Sequence, residues 1–465
     1  QDVEQGRIFE YAQWFPCVCV YDDVYGWNTL NYLGSGEFYT NYGDYEVNLT
    51  LPREYVATAT GVLQNPAEVL TATQRQRLQT ARESDEPVAI IAEDEVGTAA
   101  ARPPGTGPLT WRFKAENVRT FAWAACDAFR WDACAATITD LSGAQRKVLC
   151  QAFYPREAKA WAAEHDKGGA ARAVKHAIEF YSEFVYPYPY PQMSNVNGPE
   201  GGMEYPMIVF CGSRKNARGM FGVTDHEVGH NWFPMLVNTD ERRHVWMDEG
   251  FNSFINVYSR SDYYEKKQLG RASADVVVGN MLRPDQQPIV THPDQMLGGR
   301  VGFLGYRKVA AGLVALREHV LGPERFDRAF KTYVRRWAFK SPRPADFFRT
   351  IEDVAGEDLA WFWRGWFQST GTLDQSIVTV RQDRESKTAT IVLANRGRLV
   401  MPVALEIKYD DGQTERRRVP VEAWYSSNRI EHRLPTQGRR IVAVRIDPDE
   451  LLPDVERRNN VWGRW

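Results

Sequence analysis

Residues 226–250 read His226-Glu227-Val228-Gly229-His230, then eighteen residues, then Glu249 inside Trp246-Met247-Asp248-Glu249-Gly250. On a helix, His226 and His230 stand four apart, so both imidazoles leave one face and can grip one ion. Glu227 lies one step round from them, close enough to take a proton from a water at the ion without binding the ion itself. Glu249, on a following helix, supplies a third donor and leaves a fourth tetrahedral position open, which separates a catalytic zinc site from a structural one. The bland alternative is a solvated helix face with two incidental histidines. His-Glu-x-x-His arises by chance in about one chain of this length in a hundred, and a Glu-Gly at the right distance makes coincidence rarer. Two of the eight histidines of the chain sit here. The pattern implies a zinc site that activates water.

A second segment narrows the class. Gly198-Pro199-Glu200-Gly201-Gly202-Met203-Glu204-Tyr205-Pro206 runs into the apolar stretch Met207-Ile208-Val209-Phe210. It reads as a Gly-rich turn entering a strand. Glycines there let a substrate backbone approach and pair along the strand edge, and Glu204 offers a carboxylate suited to an ammonium group. Taken alone, a turn before a core strand explains the segment equally well.

Together the two segments resemble the aminopeptidase N family, the gluzincin zinc aminopeptidases that include the leukotriene hydrolases. That family carries Gly-x-Met-Glu-Asn ahead of His-Glu-x-x-His and a downstream Glu. The resemblance implies one Zn2+ per chain on His226, His230 and Glu249, with Glu227 as the base. It places Gly201, Gly202 and Met203 along the substrate strand and Glu204 on the free amino terminus of a peptide. It further implies a catalytic tyrosine on a later helix. Tyr306, in Gly305-Tyr306-Arg307-Lys308, matches, its alternative being a packed aromatic at a helix start. The implied fold is α+β and multidomain, with a thermolysin-like mixed α/β catalytic domain. The implied activity is zinc-dependent hydrolysis of the N-terminal peptide bond. The alternatives are an endopeptidase or epoxide hydrolase on the same zinc scaffold, or a non-catalytic peptide-binding module. The first would not need Gly-Gly-Met-Glu, and the last would need a lost ligand or base.

This chain departs from the family pattern at identifiable points. Tyr205 stands where the family has Asn, and Asn256 stands where it has a Glu that supports a zinc histidine. An amide still accepts from an imidazole N–H but raises its basicity less than a carboxylate would. Asp248, Asp225 and Asp240 are the candidate substitutes. The second anchor of the substrate amine falls by position on Gln5, just before Gln13-Trp14-Phe15-Pro16-Cys17, which resembles the late part of the family's amino-terminal β-domain.

A chain of 465 residues exceeds one core and suggests about three domains. Residues 1–113, rich in short β-type runs with one helical insert at 71–83, read as the late part of the β-domain. Residues 114–370 read as the catalytic unit. From 371 to 465 the pattern turns to alternating strands, a small β-sandwich. No long helical domain follows within the chain; larger family members close their cavity with one, so a more open cleft is expected. The aromatics Trp361, Phe362, Trp363, Trp366 and Phe367 read as core. Hydrophobic residues make up 43% and charged residues 25%, an ordinary globular balance, and a net charge of −3 gives no pull toward nucleic acid or an anionic membrane. No apolar run reaches transmembrane length. The resemblance implies peptides with a free N-terminus as partners, and charge and hydropathy point to no nucleic acid and no membrane insertion. The six cysteines match no zinc knuckle or redox motif. The chain opens at Gln1, which points to processing or an excerpt. The resemblance to exported bacterial members implies a periplasmic or secreted location.

Overall fold

The structure, a computed structural model, describes residues 1–163, 169–267 and 270–465. Its frame is a six-stranded mixed sheet whose spatial order is Gly202–Tyr205, Ile208–Cys211, Gln192–Asn197, Gln145–Tyr154, Arg130–Thr139, Val88–Ile91. Arg130–Thr139 and Gln145–Tyr154 form a long antiparallel hairpin, from Arg130 opposite Tyr154 to Thr139 opposite Gln145. Asp140 closes it by accepting from Ser142 N and Ala144 N, the short side chain mimicking a backbone turn. Gln145–Tyr154 then pairs in parallel with Gln192–Asn197, and a parallel pair needs a crossover. The helix Gly169–Phe184 supplies it. Its buried face of Ala170, Ala173, Val174, Ala177, Ile178 and Tyr181 follows helical spacing, and the small alanines let it lie close on the sheet.

After the crossover the chain makes two strands where the sequence suggested a turn and one strand. Gly202–Tyr205 pairs antiparallel with Ile208–Cys211, Glu204 opposite Val209, and forms the sheet edge. Pro206 cannot donate to a ladder, and Met207 takes φ 63, so the chain reverses between them. Next comes the helix Ala217–Gly229, capped by Asn216, whose side chain accepts from Gly219 N. It packs against Gly169–Phe184 and Phe251–Tyr263. The helices Pro323–Trp337 and Pro344–Ala355, each with proline in the first turn where its missing N–H costs nothing, back the unit. Phe362, Trp363, Trp366 and Phe367 are buried in the same core, as their spacing implied.

The boundary expected at residue 113 falls inside the strand Leu109–Val118, which pairs with Gly43–Leu51. Trp123–Cys126 pairs with the N-terminal strand Gly6–Tyr11, and Val88–Ile91 joins the central sheet. The amino-terminal strands and the central sheet thus interleave. Val196, Tyr205, Ile208 and Phe210 belong to the amino-terminal core, while Met193 and Val209 belong to the helical one, so the sheet is the wall between two cores. The carboxy-terminal strands form a sandwich of a three-stranded sheet (Gln375–Asp383, Thr388–Asn395, Arg429–Pro435) and a four-stranded one with its own core. None of the six cysteines forms a disulfide.

Candidate active site

Helical spacing alone puts His226 and His230 together, and the bonds behind them aim them. Tyr181 Oη donates to Asp225 Oδ1 at 2.7 Å, so it accepts from Asn256 Nδ2 at 2.8 Å. That fixes the amide with Oδ1 toward His226, 2.7 Å from Nδ1. His226 therefore carries its proton on Nδ1 and turns Nε2 forward. His230 Nδ1 donates to the Phe233 carbonyl at 2.8 Å, with the Asp248 carboxylate at 2.7 Å. Both Nε2 atoms face the same point, each 3.3 Å from Glu249 Oε2. Among the described residues, donor atoms of His226, His230 and Glu249 lie within 4.8 Å of one another and all three residues are buried. A second group, Glu204, His230 and Asp248, shares His230. Burial opposes a charged His230, yet Glu204, Asp248 and Glu249 outweigh it and push its pKa well up. A field that favours a proton there favours a metal cation equally. The donor set, two imidazoles and a carboxylate converging from one side, fits a divalent ion such as zinc.

The three carboxylates left open by the sequence separate clearly. Asp248 lies on His230. Asp225 reaches His226 at one remove, through Tyr181 and Asn256, and also pairs with Arg260 at 3.1 Å. Asp240 caps a short helix through Arg243 N and takes no part in the centre.

Glu249 and Tyr306 both stand on π-helical turns, Trp246–Gly250 and Gly302–Arg307, each one residue wider than an α-turn. Such turns recur at functional sites because they swing one side chain out of phase with its helix. The two pack on each other through Gly250, where a Cβ would lie 2.9 Å from Gly305 O and 2.4 Å from Val309. Tyr306 Oη donates to Glu249 Oε1, and burial followed by the Glu249 charge holds its pKa well above the usual phenol value. Glu227 is buried at the mouth of the edge strand. A Cβ on Gly202 would stand 2.4 Å from its Oε1, so this glycine is there for close approach.

Glu204 is 3% exposed, with Oε1 3.9 Å from His230 Nδ1, and burial pushes its pKa up to about 7. Gly201 is exposed on the loop ahead of it, and Met203 is half-buried. Tyr205 replaces the family asparagine with a new contact, its hydroxyl meeting the Gln13 amide at 2.9 Å. Gln5 lies exposed in the turn between the first two strands and is not among the residues that line the cavity with Glu204. What sequence reading missed is the segment 13–40. Gln13 and Glu37 line a cavity with Glu204, and Glu37 is pushed well up by burial and by the charges of Glu204, Glu241, Asp248 and Glu249. The segment is tied down just ahead of the Glu249 turn. Phe38 N donates to Glu241 Oε2 at 2.9 Å, and Arg242 donates to Gly36 O at 2.8 Å and Asn31 O at 2.6 Å. No local periodicity announces a strap of this kind. Its signals are Gln13-Trp14-Phe15-Pro16-Cys17, which carries part of the family resemblance, and the charged Glu37 ahead of the aromatic pair Phe38-Tyr39.

Among the described residues, no helix is long and apolar enough to cross a membrane. Residues 170–366 match the family described as peptidase family M1 domain. Similar curated proteins include aminopeptidase M1-A of Oryza sativa subsp. japonica, 24% identical over 43% of this chain and 25% of that protein. Aminopeptidase N of Plutella xylostella is 26% identical over 47% of this chain and 25% of its own length. Human glutamyl aminopeptidase is 23% identical over 41% and 22%. The matched segment thus spans about a quarter of the length of each of these relatives. A crystal structure of Legionella pneumophila aminopeptidase A in complex with aspartic acid shares the fold, with TM-score 0.61 over 89% of this chain and 44% of that one, at 14% identity. Residues 170–366 thus form a segment similar to the peptidase family M1 domain, and the aminopeptidases among its relatives support a peptidase hydrolase.

Proposed function

We propose that this chain is a zinc-dependent aminopeptidase that hydrolyses the N-terminal peptide bond of peptides. Zinc bound by His226, His230 and Glu249 would polarise the scissile carbonyl and bring a water's pKa toward neutrality. Glu227, held against Gly202 at the substrate strand, takes the proton of the attacking water and returns it to the leaving amine. Tyr306, kept protonated by its burial, donates its O–H to the developing oxyanion, a role in which one donor lowers the barrier by about 3–4 kcal/mol. Gly201, Gly202 and Met203 present the strand edge to the substrate backbone.

The observation that carries the exopeptidase reading is Glu204: a buried carboxylate on the edge strand, beside the metal centre, where a chain running through would have to pass. Glu37, lining the same cavity, serves as the second carboxylate for the substrate ammonium. The test is a panel of aminoacyl chromogenic substrates, free and acetylated, with and without chelator. Free substrates should be cleaved and lose cleavage with chelator, and acetylated ones should be poor. Glu204→Ala should cut kcat/KM on free substrates by roughly 2–4 kcal/mol in transition-state stabilisation. Efficient cleavage of blocked or internal bonds would instead assign an endopeptidase.

A further inference from the structure

Behind Glu204 opens a cavity of about 190 Å³. Met203, Glu204 and Tyr205 of the edge strand form one side, and Phe15, Phe38 and Met235 supply apolar walls. We propose that this cavity receives the side chain of the substrate's first residue and selects large uncharged apolar side chains, phenylalanyl, leucyl or methionyl, over small and over charged ones. The proposal rests on the aminopeptidase reading above.

Position comes first. In an amino-terminal residue the ammonium and the side chain leave the same carbon, so a cavity that starts at the ammonium's carboxylate lies where that side chain must go. Size comes second. A dry apolar cavity of about 150 Å³ is enough to take up a benzene ring, so a benzyl or isobutyl group fits here while a methyl group leaves most of the space unfilled. Charge comes third. Arg119 and Glu241 reach the cavity but are bound to each other at 2.7 Å, both about 2% exposed. Arg119 also donates to Phe38 O and Pro234 O, and Glu241 Oε2 accepts from Phe38 N. The two charges of the pair thus offset each other at the cavity wall. An acidic side chain would meet Glu37, Glu204 and Glu241; with Glu37 and Glu204 taken up by the substrate ammonium, a basic one would meet the Arg119 guanidinium paired with Glu241. Either would leave water for walls that do not replace its hydration.

The experiment measures kcat/KM for phenylalanyl, leucyl, methionyl, alanyl, lysyl and glutamyl amidocoumarins on the metal-loaded full chain. Phenylalanyl, leucyl and methionyl substrates should exceed alanyl by at least about tenfold, the range one or a few methylenes give, and glutamyl by about a hundredfold or more. Cys17 and Thr120 line the cavity side by side, Sγ 3.6 Å from Oγ1, and Cys17→Phe or Thr120→Phe would fill it. Each should lower kcat/KM for the phenylalanyl substrate at least ten times more than for the alanyl one. A readout without turnover uses Cys17 itself: leucinamide should slow its alkylation by iodoacetamide, followed by mass spectrometry, and glutamic acid α-amide should not. Wild-type cleavage of alanyl, lysyl or glutamyl substrates as fast as leucyl, or equal losses for all substrates in both filled variants, overturns the pocket while leaving the aminopeptidase reading intact. Cleavage of blocked peptides in preference to every free aminoacyl substrate overturns the aminopeptidase reading, and the pocket with it.

Discussion

At the scale of single residues, the centre depends on which atom of each side chain is already engaged. The line Asp225, Tyr181, Asn256, His226 is one hydrogen bond per link, and each link fixes the orientation of the next. Tyr181→Phe removes the acceptor that pins the Asn256 amide. Zinc affinity should fall about 10–100-fold, as for other supports of a metal histidine, measured by competition with a chromophoric chelator. An unchanged affinity would assign Tyr181 to packing only. Glu227→Gln keeps shape and all three donors, so metal content should stay near one equivalent while turnover drops about 10²–10⁴-fold. Gly202→Ala places a methyl 2.4 Å from Glu227 Oε1 and should give the same division, metal retained and turnover lost. Elemental analysis beside a rate assay reads both. The residue chemistry of His226, Glu227 and His230 was legible because a four-residue spacing on one helix is a local fact. The substitute for the missing family glutamate was not, because Tyr181 lies far away in sequence and its hydroxyl has no signature.

At the scale of elements, the Gly-rich loop before the edge strand rests on a carboxylate from the first long strand. Glu10 Oε2 accepts from Glu200 N at 3.0 Å, and a Cβ on Gly198 would stand 2.1 Å from Oε1. Burial pushes the Glu10 pKa from 4.5 up to about 8, partly offset by the Glu200 N–H. Between those values the folded chain holds a proton that the unfolded chain releases. The contribution of this group is therefore fully present below pH 4.5 and is lost as pH rises through about 8. Glu10→Gln should leave the thermal midpoint near wild type at pH 4.5 and raise it relative to wild type at pH 9; a constant difference across that range would refute the burial argument. The helices Pro323–Trp337 and Pro344–Ala355 could be read from their prolines and apolar period. The π-helical turns under Glu249 and Tyr306 could not, since one extra residue in a turn leaves the apolar period nearly unchanged. The first strand of the hairpin at 202–211 reads in sequence as part of a Gly-rich turn because a four-residue outer strand containing Gly and Glu carries little β signal.

At the scale of the whole molecule, the cavity wall draws on the strap 13–40, on Arg119 and Thr120, and on Glu241, none of which is near another in sequence. A wall of this kind is opaque to sequence reading, whereas the grouping of His226, His230 and Glu249 follows from spacing within one short segment. The Arg119–Glu241 pair holds these pieces together in a buried site. Arg119→Met would strand the Glu241 carboxylate, and stability should fall by about 3–5 kcal/mol, read as a lower denaturant midpoint. The double variant Arg119→Met with Glu241→Leu removes both charges and should recover most of that loss; failure to recover would mean the guanidinium contributes chiefly through its bonds to Phe38 O and Pro234 O.

The bond from Phe38 N to Glu241 joins residues 203 positions apart, whereas the three candidate ligands all fall within residues 226–249. Closing a loop becomes harder by about 0.6 kcal/mol for each doubling of its length, so the longer closure lags by roughly 2 kcal/mol over about three doublings. On closure entropy alone the two halves of the site differ in what it takes to assemble them: the grip on an ion is drawn from one short stretch of chain, whereas the wall that would choose a substrate must bring distant ones together. A change that loosens the strap is therefore expected to blunt discrimination among peptides before it releases metal.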